Sequence, residues 1–157
     1  PILQDIAKND DIHILVEKNS AAISAAEVVE DKNLSFDILE YNHYLLKGDI
    51  DKKRKILKSL ADKLESDREK LKELKNTLED DLFFLFNNIK IRHDNDENQK
   101  LIDKIGREKL EFWYDETYQM ALLAILLLIL LSFFCIIFIS FLCKFLIKVN
   151  KGDGSKN

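Results

Sequence analysis

From about residue 37 the apolar positions recur every seven residues. With Leu57 as position a, the a series is His43, Ile50, Leu57, Leu64, Leu71, Leu78 and Leu85, in which only His43 is not aliphatic. The d series is Leu46, Lys53, Leu60, Asp67, Leu74, Asp81 and Asn88, apolar and polar in alternation. A parallel two-stranded zipper would bury a polar group in every second d layer, which is costly without a partner. The pattern predicts instead a long amphipathic, coiled-coil-like helix over 37–91. It would lay its a seam, Leu57, Leu64, Leu71 and Leu78, against another protein or a neighbouring helix. Unbroken, it would extend roughly 80 Å at about 1.5 Å per residue. Gly48 permits a kink near its start.

Two features interrupt the stripe. The run Leu82-Phe83-Phe84-Leu85-Phe86 puts large apolar groups on every side of a helix, so it must be buried on several faces. Residues 92–99 are polar throughout and predict a turn, with Asp94 and Glu97 spaced like a capping box that opens a new helix. Beyond it Leu101, Ile102, Ile105, Lys109 and Phe112 recur at helical spacing. Phe83, Phe84 and Phe86 are expected to clasp a short helical hairpin, 82–91 against 101–112; the alternative is a socket for another protein. Over 1–36, residues 12–16 suit a short strand, and the small residues of 20–29, after Asn19 and Ser20 as caps, suit a helix. Such a head has too few large apolar side chains for its own core, and must pack on a partner or on the long helix.

The segment 120–143 has no acidic, basic or amide side chain and is almost wholly apolar. It would form about 36 Å of helix against a hydrocarbon core of about 30 Å, so it is expected to span a bilayer once. Residues 100–119 then form a juxtamembrane helix, with Trp113, Tyr114 and Tyr118 as an interfacial aromatic belt. Lys144 and Lys148 anchor the other side, in a basic tail over 144–157. A pore or proton relay would find no chemistry in this span. Orientation has two readings. Close to the span, Lys and Arg lie on the carboxyl side, which puts the tail in the cytosol. Residues 1–15 hold no uninterrupted apolar leader, and a span so near the end looks tail-anchored, which leaves the helical part in the cytosol. The second reading is adopted, because Lys100, Lys104, Arg107 and Lys109 weaken the charge asymmetry. The chain begins at Pro1 without a methionine, consistent with removal of an initiator or with cleavage from something longer.

Composition narrows the fold class. Before residue 120 the only proline is Pro1 and the only glycines are Gly48 and Gly106, which disfavours the many turns of a β-sandwich and leaves an all-α class. Charge is split: residues 1–119 carry 20 Lys and Arg against 27 Asp and Glu, a balance of −7, whereas 144–157 carry four Lys against Asp153. The acidic part repels phosphate backbones at long range, so nucleic acid is not an expected partner. Asp51-Lys52-Lys53-Arg54-Lys55 with Lys58 is the one basic cluster, read as a solvated, interaction-capable face, with a docking patch as the alternative. Cys135 and Cys143 both belong to the apolar segment, so no disulfide framework exists; Cys143 beside Lys144 is a small filler or an acylation site.

His13, His43 and His93 stand far apart without metal-motif spacing, and the acids around residues 94–97 lack the central glycine and closing glutamate of a calcium loop. Glycine-rich phosphate loops and nucleophile elbows do not occur. The expectation is a non-enzymatic protein with no metal, no cofactor and no small-molecule substrate, whose partners are the lipid bilayer and other structural proteins.

One resemblance enters at Tyr41-Asn42-His43-Tyr44-Leu45-Leu46, followed by the charged coil 52–75 and a single late span. This order resembles short coiled-coil membrane proteins among the virion components of nucleocytoplasmic large DNA viruses. It covers 37–78 and the general layout, and departs from it in the head over 1–32 and in the aromatic cluster. The resemblance implies a minor-capsid-type structural role, tethering an internal virion membrane to the capsid shell from the capsid-facing, cytosolic side. A SNARE-like or other tail-anchored tether or scaffold is the alternative, although the interruption at 92–99 and the absence of a Gln or Arg layer depart from a SNARE motif.

Overall fold

The computed structural model describes residues 2–9, 12–93 and 95–152. A β-hairpin, β1 (Leu3–Asn9) and β2 (Ile12–Glu17), leads into α1 (Ser20–Val28), α2 (Lys32–Glu40), a 3-10 turn (Tyr44–Leu46), α3 (Ile50–Glu65), α4 (Arg68–Asn88), α5 (Asp96–Ile105) and α6 (Arg107–Gly152). The class is mainly α, as the sequence predicts. The expected strand is β2, and it has an unexpected antiparallel partner in β1, with Ile6 opposite Ile14. Among the described side chains of β1 only Ile6 is buried, so the strand shows little of the alternation that would reveal it. Ile6, Val16 and Phe36 of α2 form a small core that seats the hairpin.

Asn19 caps α1, its side-chain oxygen accepting from the Ala22 N–H at 3.1 Å. Ala22, Ala25 and Ala26 are buried, and their small side chains let α1 lie close to both α2 and α6. The head thus packs on the chain's own helices. Asp31 caps α2 in the same way, accepting from the Asn33 and Leu34 N–H groups.

The single helix expected over 37–91 is corrected to several shorter pieces. α2 ends at Glu40, and Gly48 adopts φ +81° ahead of α3, a left-handed turn that glycine makes at little cost. α3 stops at Glu65, and Asp67 stands at the turn into α4. Within α4, Lys75 has extended backbone (φ −155°, ψ 81°). The Arg68 guanidinium consequently lies 4.3 Å from the centre of the Phe83 ring and bonds Glu79 at 2.5 Å. Residues 15 apart on a straight helix would be about 22 Å apart, so α4 doubles back at Lys75. The physical reason is burial: a straight rod would leave its leucine stripe in water, whereas the folded-back form buries Leu57, Leu64, Leu71 and Leu78 in one intramolecular core. The expectation that these four face a protein partner is corrected accordingly. Breaking the helix also carries Asp67 out of a core layer and into the turn.

The aromatic run divides. Phe83 and Phe86 are buried and pack edge to face at 5.5 Å, while Phe84 is 62% exposed. The chain does reverse after α4, but the clasp differs from the expected one, because α4 lies chiefly against α6 and α5 also packs on α6. Phe112 is exposed. α5 starts from Asn95, whose side chain accepts from the Asn98 N–H at 2.8 Å; the expected start at Asp94 falls outside the described residues. Asn98 in turn donates to the carbonyls of Asn87 and His93, tying the turn down. α4 ends through Lys90 at φ +66°, a left-handed position that costs a non-glycine residue roughly 1 kcal/mol or more.

Candidate functional site at the head and anchor helix

α6 has two distinct stretches. Along its first part, Leu110, Tyr114, Thr117, Tyr118, Ala121, Leu122, Ala124 and Ile125 form a buried stripe at helical spacing, covered by α1, α3 and α4. Leu126, Leu127, Leu128 and Ile129 are partly buried against the same core. From Leu130 the helix stands bare, with Phe133, Phe134, Ile136, Ile137, Phe138, Ile139, Phe141 and Leu142 exposed. Among the described residues, α6 is the one helix long and apolar enough to cross a membrane, over Arg107–Lys144. The first ten residues of the segment read as a span, 120–129, therefore also serve as the spine of the folded head.

This changes the aromatic belt. Tyr114 and Tyr118 are each 1% exposed, so they are core residues and not interfacial ones. The Tyr114 hydroxyl donates to the Ile89 carbonyl at 3.1 Å. The Tyr118 hydroxyl donates to the Ile38 carbonyl at 2.6 Å and accepts from Asn42 Nδ2 at 3.0 Å. Tyr41 stacks on Tyr118 with ring centres 4.0 Å apart. Burial raises the hydroxyl pKa of both Tyr41 and Tyr118 above the ordinary tyrosine value, and Asp115 pushes Tyr41 further. Trp113 remains partly exposed, and Lys144 lies on the exposed stretch. The Lys148 side chain lies outside the described ones.

Lys53, the unwelcome charge of the d series, is the centre of a clasp between α3 and α6. Its Nζ bonds Glu111 Oε1 at 2.8 Å and Asp115 Oδ1 at 2.7 Å, and its side chain is 7% exposed. The Tyr41 hydroxyl donates to the same Asp115 oxygen at 2.9 Å, and the Gly48 N–H donates to Glu111 Oε1 at 2.7 Å. Arg107 closes the ring by donating to the Gly48 carbonyl at 2.9 Å. Burial works against ionised Glu111, but the Gly48 N–H and the bond and charge of Lys53 outweigh it and hold the carboxyl below its usual value. Glu111 and Asp115, four apart on one helix face, were the available sequence signal: a paired acidic site to match the lysine at a seam position.

At the far end of α3, Asp67 takes bonds from Lys70 at 2.7 Å and Lys63 at 3.4 Å, and the Lys70 bond leads in holding its carboxyl low. This tip, with Val28, Val29, Glu30 and Asp31, borders α6 at Ile125, Ile129 and Ser132. The polar end of the head thus lies beside the first two turns of the bare stretch, as far as Ile136. His13 pairs with Asp5, and among the described residues no group of three or more His, Cys, Asp or Glu could hold a metal. Comparison of the chain with protein-family models, with curated proteins and with solved structures finds no match.

Proposed function

We propose that the chain is a non-enzymatic, single-pass membrane protein whose folded helical head stands on the bilayer surface as a structural tether. The observation that carries this is the division of α6 into a buried spine and a bare apolar rod. In this reading the hydrocarbon begins near Leu130, and the polar tip at Lys63, Asp67 and Lys70 meets the headgroup layer. What supports a structural role is that the buried charges, Lys53 and Glu79, are satisfied by partners within the head. An internal virion membrane under a capsid shell, with the head on the capsid-facing, cytosolic side, is the setting implied by the resemblance, and capsid-type structural proteins are the corresponding partners. The leucine seam being occupied within the chain, the partner contact falls to apolar side chains left outside, Tyr44, Leu45 and Phe84. A SNARE-like tether would first have to open that seam.

Two truncations test the anchor. Ending the chain at residue 129 should release a folded, helical, water-soluble head, whereas ending it at 119 should also remove core residues Ala121, Leu122, Ala124 and Ile125 and leave it unfolded. A head that still sediments with carbonate-washed membranes after the first truncation would rule out anchoring by the bare stretch. Finding the protein in purified virus particles, against a host membrane fraction, decides the setting.

A further inference from the structure

The basic cluster on α3 acquires partners from elsewhere in the chain. Arg54, Lys55 and Lys58 line a pocket of about 420 Å³ together with Asp51, and the segment leaving α4 adds Lys90 and Arg92 around buried Ile91. Five cationic side chains and one carboxylate line it, on a chain whose net charge is −4. Arg54 bonds Asp51 at 3.1 Å and Arg92 is tied to Glu65, which orients two guanidinium groups, while Lys55 and Lys58 make no ion pair among the described residues. The strained backbone is in the same place: Lys90 occupies the left-handed position where glycine or asparagine usually ends a helix. Lys90 thus stands on the pocket rim.

We propose that this pocket binds a compact, multiply charged phosphate ligand, the polyphosphate part of a small soluble molecule. Guanidinium forks and lysine point charges together suit phosphate oxygens better than a single carboxylate. Among the described residues no aromatic ring lines the pocket, so recognition is of the phosphates and not of a base. A lipid headgroup is a poor occupant. The loop follows Ile89, which bonds Tyr114, and Tyr114 precedes Leu130 by about 24 Å along α6. A long nucleic acid is also disfavoured, because its backbone would run from the pocket onto acidic surface. The exclusion of a lipid headgroup rests on the tether reading, whereas phosphate recognition rests on the pocket's own residues and departs from the expectation of no small-molecule ligand.

The test uses the full chain in neutral detergent micelles, titrated calorimetrically with inorganic tripolyphosphate at low salt. Saturable binding is expected, weakened by about tenfold or more in the Lys55→Glu/Lys58→Glu variant. The same charge change placed elsewhere, Lys72→Glu/Lys104→Glu, should leave it within about twofold. Adenosine triphosphate should bind about as well as tripolyphosphate. All four of these positions are exposed, so circular dichroism should be unchanged. Absence of saturable binding, or equal loss in both double variants, overturns the site. Tighter capture of a single-stranded oligonucleotide or of anionic-lipid vesicles than of tripolyphosphate overturns the ligand class.

Discussion

Replacing Lys53 by Met removes one ammonium group and keeps most of the apolar stem, so it isolates the charge in the clasp. Both carboxylates then lose their cation: Glu111 keeps the Gly48 N–H and Asp115 keeps the Tyr41 hydroxyl. Breaking a fully buried pair this way costs about 3–5 kcal/mol. Here the carboxylates are 21% and 49% exposed, and water screens the second substantially. The expected loss is about 2 kcal/mol, a drop in melting temperature of roughly 4–8 °C for a chain this size. Thermal and urea unfolding of the full chain in detergent, followed by circular dichroism, would measure it. The sign with pH follows from Glu111, whose folded pKa is depressed. Its contribution is complete above the ordinary glutamate value and fades as pH falls through the lower, folded value. The gap between wild type and variant should therefore be constant near neutrality and narrow in acid. Adding Glu111→Gln and Asp115→Asn to Lys53→Met should recover most of the loss, since all three charges then disappear together. A cost below about 0.5 kcal/mol at pH 7, or a gap that widens in acid, would refute the clasp as a stabilising unit.

Leu71→Ala should destabilise the isolated chain by about 2–5 kcal/mol in unfolding experiments, because Leu71 is fully buried intramolecularly; a seam serving only another protein predicts almost no change. Lys90→Gly should stabilise the fold by roughly 1 kcal/mol by removing left-handed strain, measured in the same urea titration, and no gain would mean that the lysine stem offsets that cost. With Cys135 and Cys143 replaced by Ser, a cysteine at exposed Leu123 should react with a membrane-impermeant maleimide and one at Ile137 should not. Protection of both would move the bilayer boundary up to the start of the apolar segment.

The local signals of the sequence were legible where they were chemical. Asn19 as a cap, the strand beginning at Ile12, the turn before α5 and the apolar end of α6 all follow from residue type and spacing. The breaks within 37–91 were not. Neither the Ser66-Asp67 turn nor Lys75 contains proline or glycine, and the seven-residue phase of the leucines runs straight through both. Periodicity reports which side chains seek burial, and a folded-back pair of helices satisfies it as well as a straight rod. Tyr114 and Tyr118 show the same ambiguity, because a spacing of four next to an apolar segment describes a belt at a membrane and a stripe in a core equally. What separates the two is the partner, Asn42 and the Ile38 carbonyl, some eighty positions away in sequence.

If the hydrocarbon starts near Leu130, anchor depth and head stability are coupled through α6. Residues 130–143 supply about 21 Å of helix, short of a core of about 30 Å. Drawing 120–129 into lipid would make up the difference without loss to Ala121, Leu122 or Ile125 themselves, which are as content in hydrocarbon as in a protein core. The loss would fall on the surfaces that cover them: Leu64 and Leu71 would turn to water, and the Lys53 clasp a few turns away would be pulled upon. Extension in the other direction is cheaper. Continuing the span to residue 149 would reach about 30 Å, and Lys144 could run its stem along the helix toward the far headgroups. On that reading the head would fix the near boundary, and helix beyond residue 143 would absorb the mismatch.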